Sequence, residues 1–101
     1  MNIDFAAMAD NVEQAEQMLK ILANKNRLMI LCSLQDGEMS VSELNEAVPL
    51  AQSALSQHLA ALRKAQIVST RRESQTIYYR VVDKNVVSIL ATLHGLFCKG
   101  N

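Results

Sequence analysis

Gln52-Ser53-Ala54-Leu55-Ser56-Gln57-His58-Leu59-Ala60-Ala61-Leu62-Arg63-Lys64 is the stretch that decides the fold. Ala54, Leu55, Leu59 and Leu62 recur at helical spacing and make one apolar face. Gln52, Ser53, Ser56 and Gln57 project elsewhere in the N-terminal half, and Arg63 and Lys64 close the C-terminal end. Just upstream, Ser40 and Glu43 have the spacing of a capping box, in which each side chain satisfies a backbone N–H at a helix start. The short helix they open carries Val41, Leu44 and Val48 on one face. Pro49 disfavours helical geometry at Val48 and ends it there. Two short helices joined by a tight turn form a helix-turn-helix unit.

Downstream of this unit the period changes from 3.6 to 2. Val68-Ser69-Thr70-Arg71-Arg72 and Thr76-Ile77-Tyr78-Tyr79-Arg80-Val81 are rich in β-branched and aromatic residues, and Glu73-Ser74-Gln75 is the turn between them. A hairpin placed directly after such a helix is a wing. Asp83 then caps a last helix with Val86, Ile89, Leu90, Leu93, Leu96 and Phe97 as its apolar positions. Upstream, Val12, Ala15, Leu19 and Leu22 indicate a first helix over about residues 11–23. A second covers about 25–35, with Leu28, Leu31, Cys32 and Leu34 inward and Gly37 as its stop. The expected fold is mainly α with a small β-hairpin: a winged helix-turn-helix of four helices, two strands and a final helix, filling residues 1–101 as one domain. There are no repeats, low-complexity segments or linkers.

Half of the 101 residues are hydrophobic, but only two Tyr and two Phe add aromatic bulk. A core this short of large side chains in so small a domain gains from a subunit interface. No run approaches the length of a membrane span. The N-terminus, with Asp4 and Asp10, lacks the pattern of a signal peptide. Two cysteines without an export signal point to the reducing cytoplasm and exclude a disulfide scaffold. The zero net charge conceals an asymmetry: residues 1–50 carry net −5, whereas residues 51–80 carry net +4, with Arg63, Lys64, Arg71, Arg72 and Arg80 against Glu73 alone. A basic half can face phosphate while an acidic half faces away.

These residues fit the reading of double-stranded DNA. Gln pairs bidentately with adenine and Ser donates to or accepts from several bases, so Gln52, Ser53, Ser56 and Gln57 are candidate base readers. Arg63 and Lys64 are placed for phosphates. His58 either contacts phosphate or sits at the helix boundary. Arg71 and Arg72 alternate faces of the hairpin, so one reaches outward while the other braces the wing, and Gln75 and Thr76 at the tip can touch backbone or minor groove. The competing interpretation is a solvated helix and surface hairpin, or a winged-helix module that binds another protein; salt-sensitive association separates DNA from that alternative. No phosphate loop, paired catalytic carboxylates or nucleophile elbow is present, so an enzyme is not expected. No cofactor is expected either.

The segment from Ser53 to Arg63 closely resembles the recognition helix of the ArsR/SmtB family of bacterial repressors. Ile67-Val68, Arg71-Arg72-Glu73 and Ile77-Tyr78-Tyr79 resemble that family's wing, and the similarity runs from about Ala15 to Cys98. The resemblance implies a homodimer packed through its first and last helices, bound to an inverted-repeat operator and released by an inducer. Ser40 and Ser42 stand where the founding metal sensors carry cysteines, and hydroxyls do not replace thiolates for soft metals. At the last-helix zinc site Asp83 is kept, but Asn85 and Leu96 occupy the histidine positions. Ala51 stands where many relatives cap the recognition helix with Ser or Asp.

Two cysteines remain, and spacing alone leaves Cys32 as a packing residue four positions from Leu28. The placement of Cys32 and Cys98, however, resembles the HlyU- and BigR-type branch of the family, which is associated with reactive sulfur or oxidants as inducers. That resemblance implies that one thiolate is modified and the other closes a disulfide or polysulfide link. His94 and Lys99 would favour thiolate at Cys98, leaving Cys32 as the resolving partner. A metal site of Cys32, His94 and Cys98 is the alternative, as is a regulator with no ligand at all.

Overall fold

The computed structural model describes residues 4–98. Helix α1 spans Phe5–Leu22, α2 Lys25–Ser33, α3 Val41–Ala47, α4 Gln52–Lys64 and α5 Lys84–Phe97, with a 3-10 turn at Leu34–Asp36. Strands β1 (Met39–Ser40), β2 (Val68–Glu73) and β3 (Thr76–Val81) form one antiparallel sheet in the order β1-β3-β2. The winged helix-turn-helix is therefore present, with a third strand added to the expected two. The two residues of β1 pair with Tyr79 and Tyr78. They are too short to show a period, which is why the sequence did not reveal them.

Local chemistry sets the boundaries of these elements. The Asp4 carboxylate accepts from the Ala7 N–H at 3.1 Å and starts α1 six residues earlier than expected. Asn24 accepts from Asn26 and Arg27 to start α2, and the Arg27 guanidinium donates back to the Ile21 carbonyl at 2.6 Å, satisfying the open end of α1. The capping box is formed: Ser40 Oγ accepts from the Glu43 N–H at 3.2 Å, and Glu43 Oε1 accepts from the Ser40 N–H at 2.9 Å. Gly37, at φ +144°, makes the turn from the 3-10 segment into β1, a backbone region essentially restricted to glycine.

Asn45 donates to the Leu50 carbonyl at 2.8 Å and ties α3 to the turn before α4. Helix α4 starts at Ala51 with no side-chain cap. It ends in a Schellman arrangement: the Ile67 N–H donates to the Leu62 carbonyl and the Gln66 N–H to the Arg63 carbonyl. Gln66 takes the left-handed position at φ +63°. Leu62 and Ile67, flanking this turn, are both buried, so the turn fixes where the wing leaves the helix.

The core is aliphatic. Leu55, Leu59 and Leu62 of α4 meet Leu44 of α3 and Val48 just after it, Ile30 and Leu31 of α2, and Val86 and Leu90 of α5. Truncating one of these leucines to alanine costs about 2–5 kcal/mol. Two expectations about the core fail. Val12 and Leu19 of α1 face solvent at 53% and 58% exposure, and Leu22 is that helix's buried residue. Cys32 also faces outward, because its stretch of α2 turns Ile30 and Leu31 to the core and shows the Leu28–Cys32 edge to α5.

Candidate nucleic-acid interface

Helix α4 is anchored through Leu55, Leu59 and Leu62, and this fixes what its other faces present. Gln52, Ser53, Ser56 and Gln57 are all exposed, as are Arg63 and Lys64. His58 is half-buried, at the edge between the polar stripe and the core face. The basic residues thus continue the polar stripe at its C-terminal end.

On the wing, the hairpin register pairs Arg71 with Tyr78 and Arg72 with Ile77. The Arg71 guanidinium donates to both carboxylate oxygens of Glu38, at 3.0 and 3.2 Å from Nε, and lies 4.8 Å over the Tyr78 ring. It also reaches Glu73 at 3.4 Å. The bidentate pair holds the Glu38 carboxyl below the usual carboxylate range and raises the Arg71 guanidinium. Of the two arginines expected to divide the work, Arg71 is therefore the brace. The Arg72 side chain is exposed and makes no ion pair or hydrogen bond among the described residues. At the tip, Gln75 and Thr76 lie beside Ser40 and Ser42 at the start of α3. The sequence missed Glu38 as a wing residue, since it lies 33 positions from Arg71 and only the fold brings them together.

The cysteines meet at another place. Cys32 and Cys98 line one cavity of about 470 Å³ between α2 and α5, together with Leu28, Leu93, His94 and Phe97. Partial burial, with Cys98 nearby, pushes the Cys32 thiol up, which favours its protonated form at neutral pH. Lys99, expected to assist Cys98, lies outside the described residues. Among the described residues no three His, Cys, Asp or Glu side chains gather as a metal ion requires. No helix among them is long and apolar enough to cross a membrane.

Residues 24–70 match the family described as bacterial regulatory protein, arsR family. The chain is 47% identical over 94 residues to the transcriptional activator HlyU of Vibrio cholerae, spanning 93% of this chain and 87% of that protein. It is 40% identical over 96 residues to the biofilm growth-associated repressor of Agrobacterium fabrum, spanning 95% of this chain and 82% of the repressor. The crystal structure of the transcriptional repressor BigR from Xylella fastidiosa superposes with a TM-score of 0.89 at 34% identity, covering 95% and 98% of the two chains. This is a family of regulators, not of enzymes. The chain belongs to the ArsR family, in its HlyU- and BigR-like branch.

Proposed function

We propose that the protein is a homodimeric, sequence-specific DNA-binding repressor of transcription whose hold on its operator is altered when Cys32 and Cys98 become linked. The observation that carries this reading is the exposed stripe of Gln52, Ser53, Ser56 and Gln57 on α4, flanked by Arg63 and Lys64 and by Arg72 on the wing. A stripe of amide and hydroxyl groups reads base edges, and its cationic flank contacts phosphate. Gln75 and Thr76 at the wing tip add backbone or minor-groove contacts.

Dimerisation is supported by what the single chain leaves uncovered. Phe5, Met8, Val12 and Leu19 of α1 and Val87, Leu96 and Phe97 of α5 are exposed apolar residues. A dimer that covers them presents two copies of α4 to successive major grooves, and so to an inverted repeat.

The switch balances chemically with a low-molecular-weight persulfide as the oxidising partner. The Cys98 thiolate takes the terminal sulfur from the donor, which leaves as a thiolate. The Cys32 thiolate then attacks Sγ of the Cys98 persulfide, breaking its Sγ–S bond, forming the Cys32–Cys98 disulfide and expelling the outer sulfur as hydrosulfide. A second donor equivalent, departing as its thiol, inserts one more sulfur into the bridge and relaxes the separation of about 7 Å between Cα atoms that a direct disulfide demands. The cavity that both cysteines line supports a link between them.

Selection of bound duplexes by the reduced and the polysulfide-treated protein tests both halves. Reduced protein is expected to enrich a symmetric site, and alanine replacements from Gln52 to Gln57 to abolish the preference. Treatment is expected to weaken binding, with Cys32→Ser or Cys98→Ser removing the response and leaving basal affinity. A symmetric site bound equally well by the alanine variants refutes the DNA reading. Wild-type binding unchanged by persulfide donors refutes only the switch.

A further inference from the structure

We propose that the groove between α4 and β3 seats one backbone phosphate of the bound duplex, with the Tyr79 hydroxyl as one of its donors. The groove, about 480 Å³ and open to solvent, is lined by Ser56, Ala60, Arg63, Lys64 and Tyr79. Every polar group in that lining can donate a hydrogen bond: two hydroxyls, a guanidinium and an ammonium. No carboxylate shares it. Among the described residues none of these four side chains has a hydrogen bond or ion pair. Arg71, the wing cation taken by Glu38, is the contrast.

A phosphodiester is the complement of such a lining, since its two free oxygens only accept and carry one negative charge. The groove also lies in the right place. Ser56 belongs both to the exposed polar stripe and to the groove wall, so a strand bordering the major groove read by that stripe runs past Arg63 and Lys64. Tyr79 is half-buried, its ring packed against the core, and it stands opposite Met39 on one side and Thr70 on the other. Its hydroxyl is thus presented by the middle strand of the sheet, and little freedom is lost when it engages a ligand. The groove has far more room than a lone oxyanion fills, which favours a passing strand over a free ion.

This inference rests on the DNA-binding reading and adds a position to it. The test measures the affinity of full-length wild type, Tyr79→Phe and Lys64→Gln for a selected operator and a scrambled duplex over a range of salt. Tyr79→Phe keeps the packed ring and removes only the donor. It is expected to weaken both duplexes by the same factor, about tenfold, without changing the salt slope. Lys64→Gln is expected to weaken both equally and to lower the slope of log K against log salt by about 0.9 for each phosphate it no longer neutralises. Ethylation of one flanking phosphate is expected to impair wild type by a larger factor than Tyr79→Phe, which has lost one donor to that phosphate but keeps Arg63 and Lys64. Tyr79→Phe binding both duplexes like wild type, or losing affinity for the operator alone, overturns the seat. If Tyr79→Phe fails to fold, an unchanged salt slope in the exposed Lys64→Gln overturns it. Wild type that binds neither duplex refutes the DNA reading itself, a failure distinguishable from that of the seat.

Discussion

Glu38 and Arg71 show how one pair of side chains assigns roles to its neighbours. Once Glu38 engages Arg71 in a two-oxygen grip with Tyr78 beneath it, Arg71 is committed to the protein and Arg72 is left exposed. The pair also gives the wing an acid limit. The folded value of Glu38 lies below its unfolded value because Arg71 stabilises the carboxylate. The contribution is therefore fully present at neutral pH, above the unfolded value, and is lost as pH falls through the lowered folded value. A carboxyl titration by NMR is expected to find the Glu38 midpoint below the ordinary glutamate range, and Arg71→Gln is expected to return it there. A normal midpoint in wild type would count against the brace in solution.

At the scale of the element, α4 is weakly started and firmly stopped. Ala51 offers no side-chain oxygen to the first N–H groups, whereas the Schellman turn at the other end satisfies two late carbonyls. That turn places Gln66 in the left-handed region, where a Cβ costs about 1–2 kcal/mol. Gln66→Gly is expected to stabilise the fold by about 0.5–1 kcal/mol after allowing for the greater freedom of glycine in the unfolded chain. Thermal unfolding checks this as a rise of a few degrees in Tm. A lower Tm would mean that the Gln66 side chain contributes more than its backbone strain removes.

The whole molecule is more extended than its length requires. Its radius of gyration is 15.1 Å, against about 13 Å for a compact chain of 100 residues. The excess reflects α1, whose Phe5, Met8, Val12 and Leu19 lie open, and the C-terminal end of α5, where Leu96 and Phe97 are 59% and 80% exposed. In the proposed homodimer, these large apolar side chains left in water along two helices are the surface that the second subunit covers. Leu19→Lys combined with Phe97→Lys is expected to shift sedimentation from dimer to monomer and to lower affinity for a symmetric operator by at least about tenfold. An unchanged dimer in this variant would place the subunit interface elsewhere.

Periodicity and capping chemistry made much of this molecule legible in its sequence. The bounds of α4, the capping box of α3, the paired strands of the wing and the Asp83 cap of α5 all follow from residues within a few positions of one another, and local interactions are encoded locally. The exposed stripe from Gln52 to Gln57 was legible for the same reason, being the complement of the leucines that hold α4 down. Tertiary structure decided whatever depends on distant neighbours. It turned Cys32 outward to share a cavity with Cys98, bound Arg71 to a glutamate on another strand's approach, added β1 to the sheet and brought Tyr79 beside Arg63. A side chain's periodicity tells which way it points from its own helix or strand; what it meets there is fixed only when the elements pack.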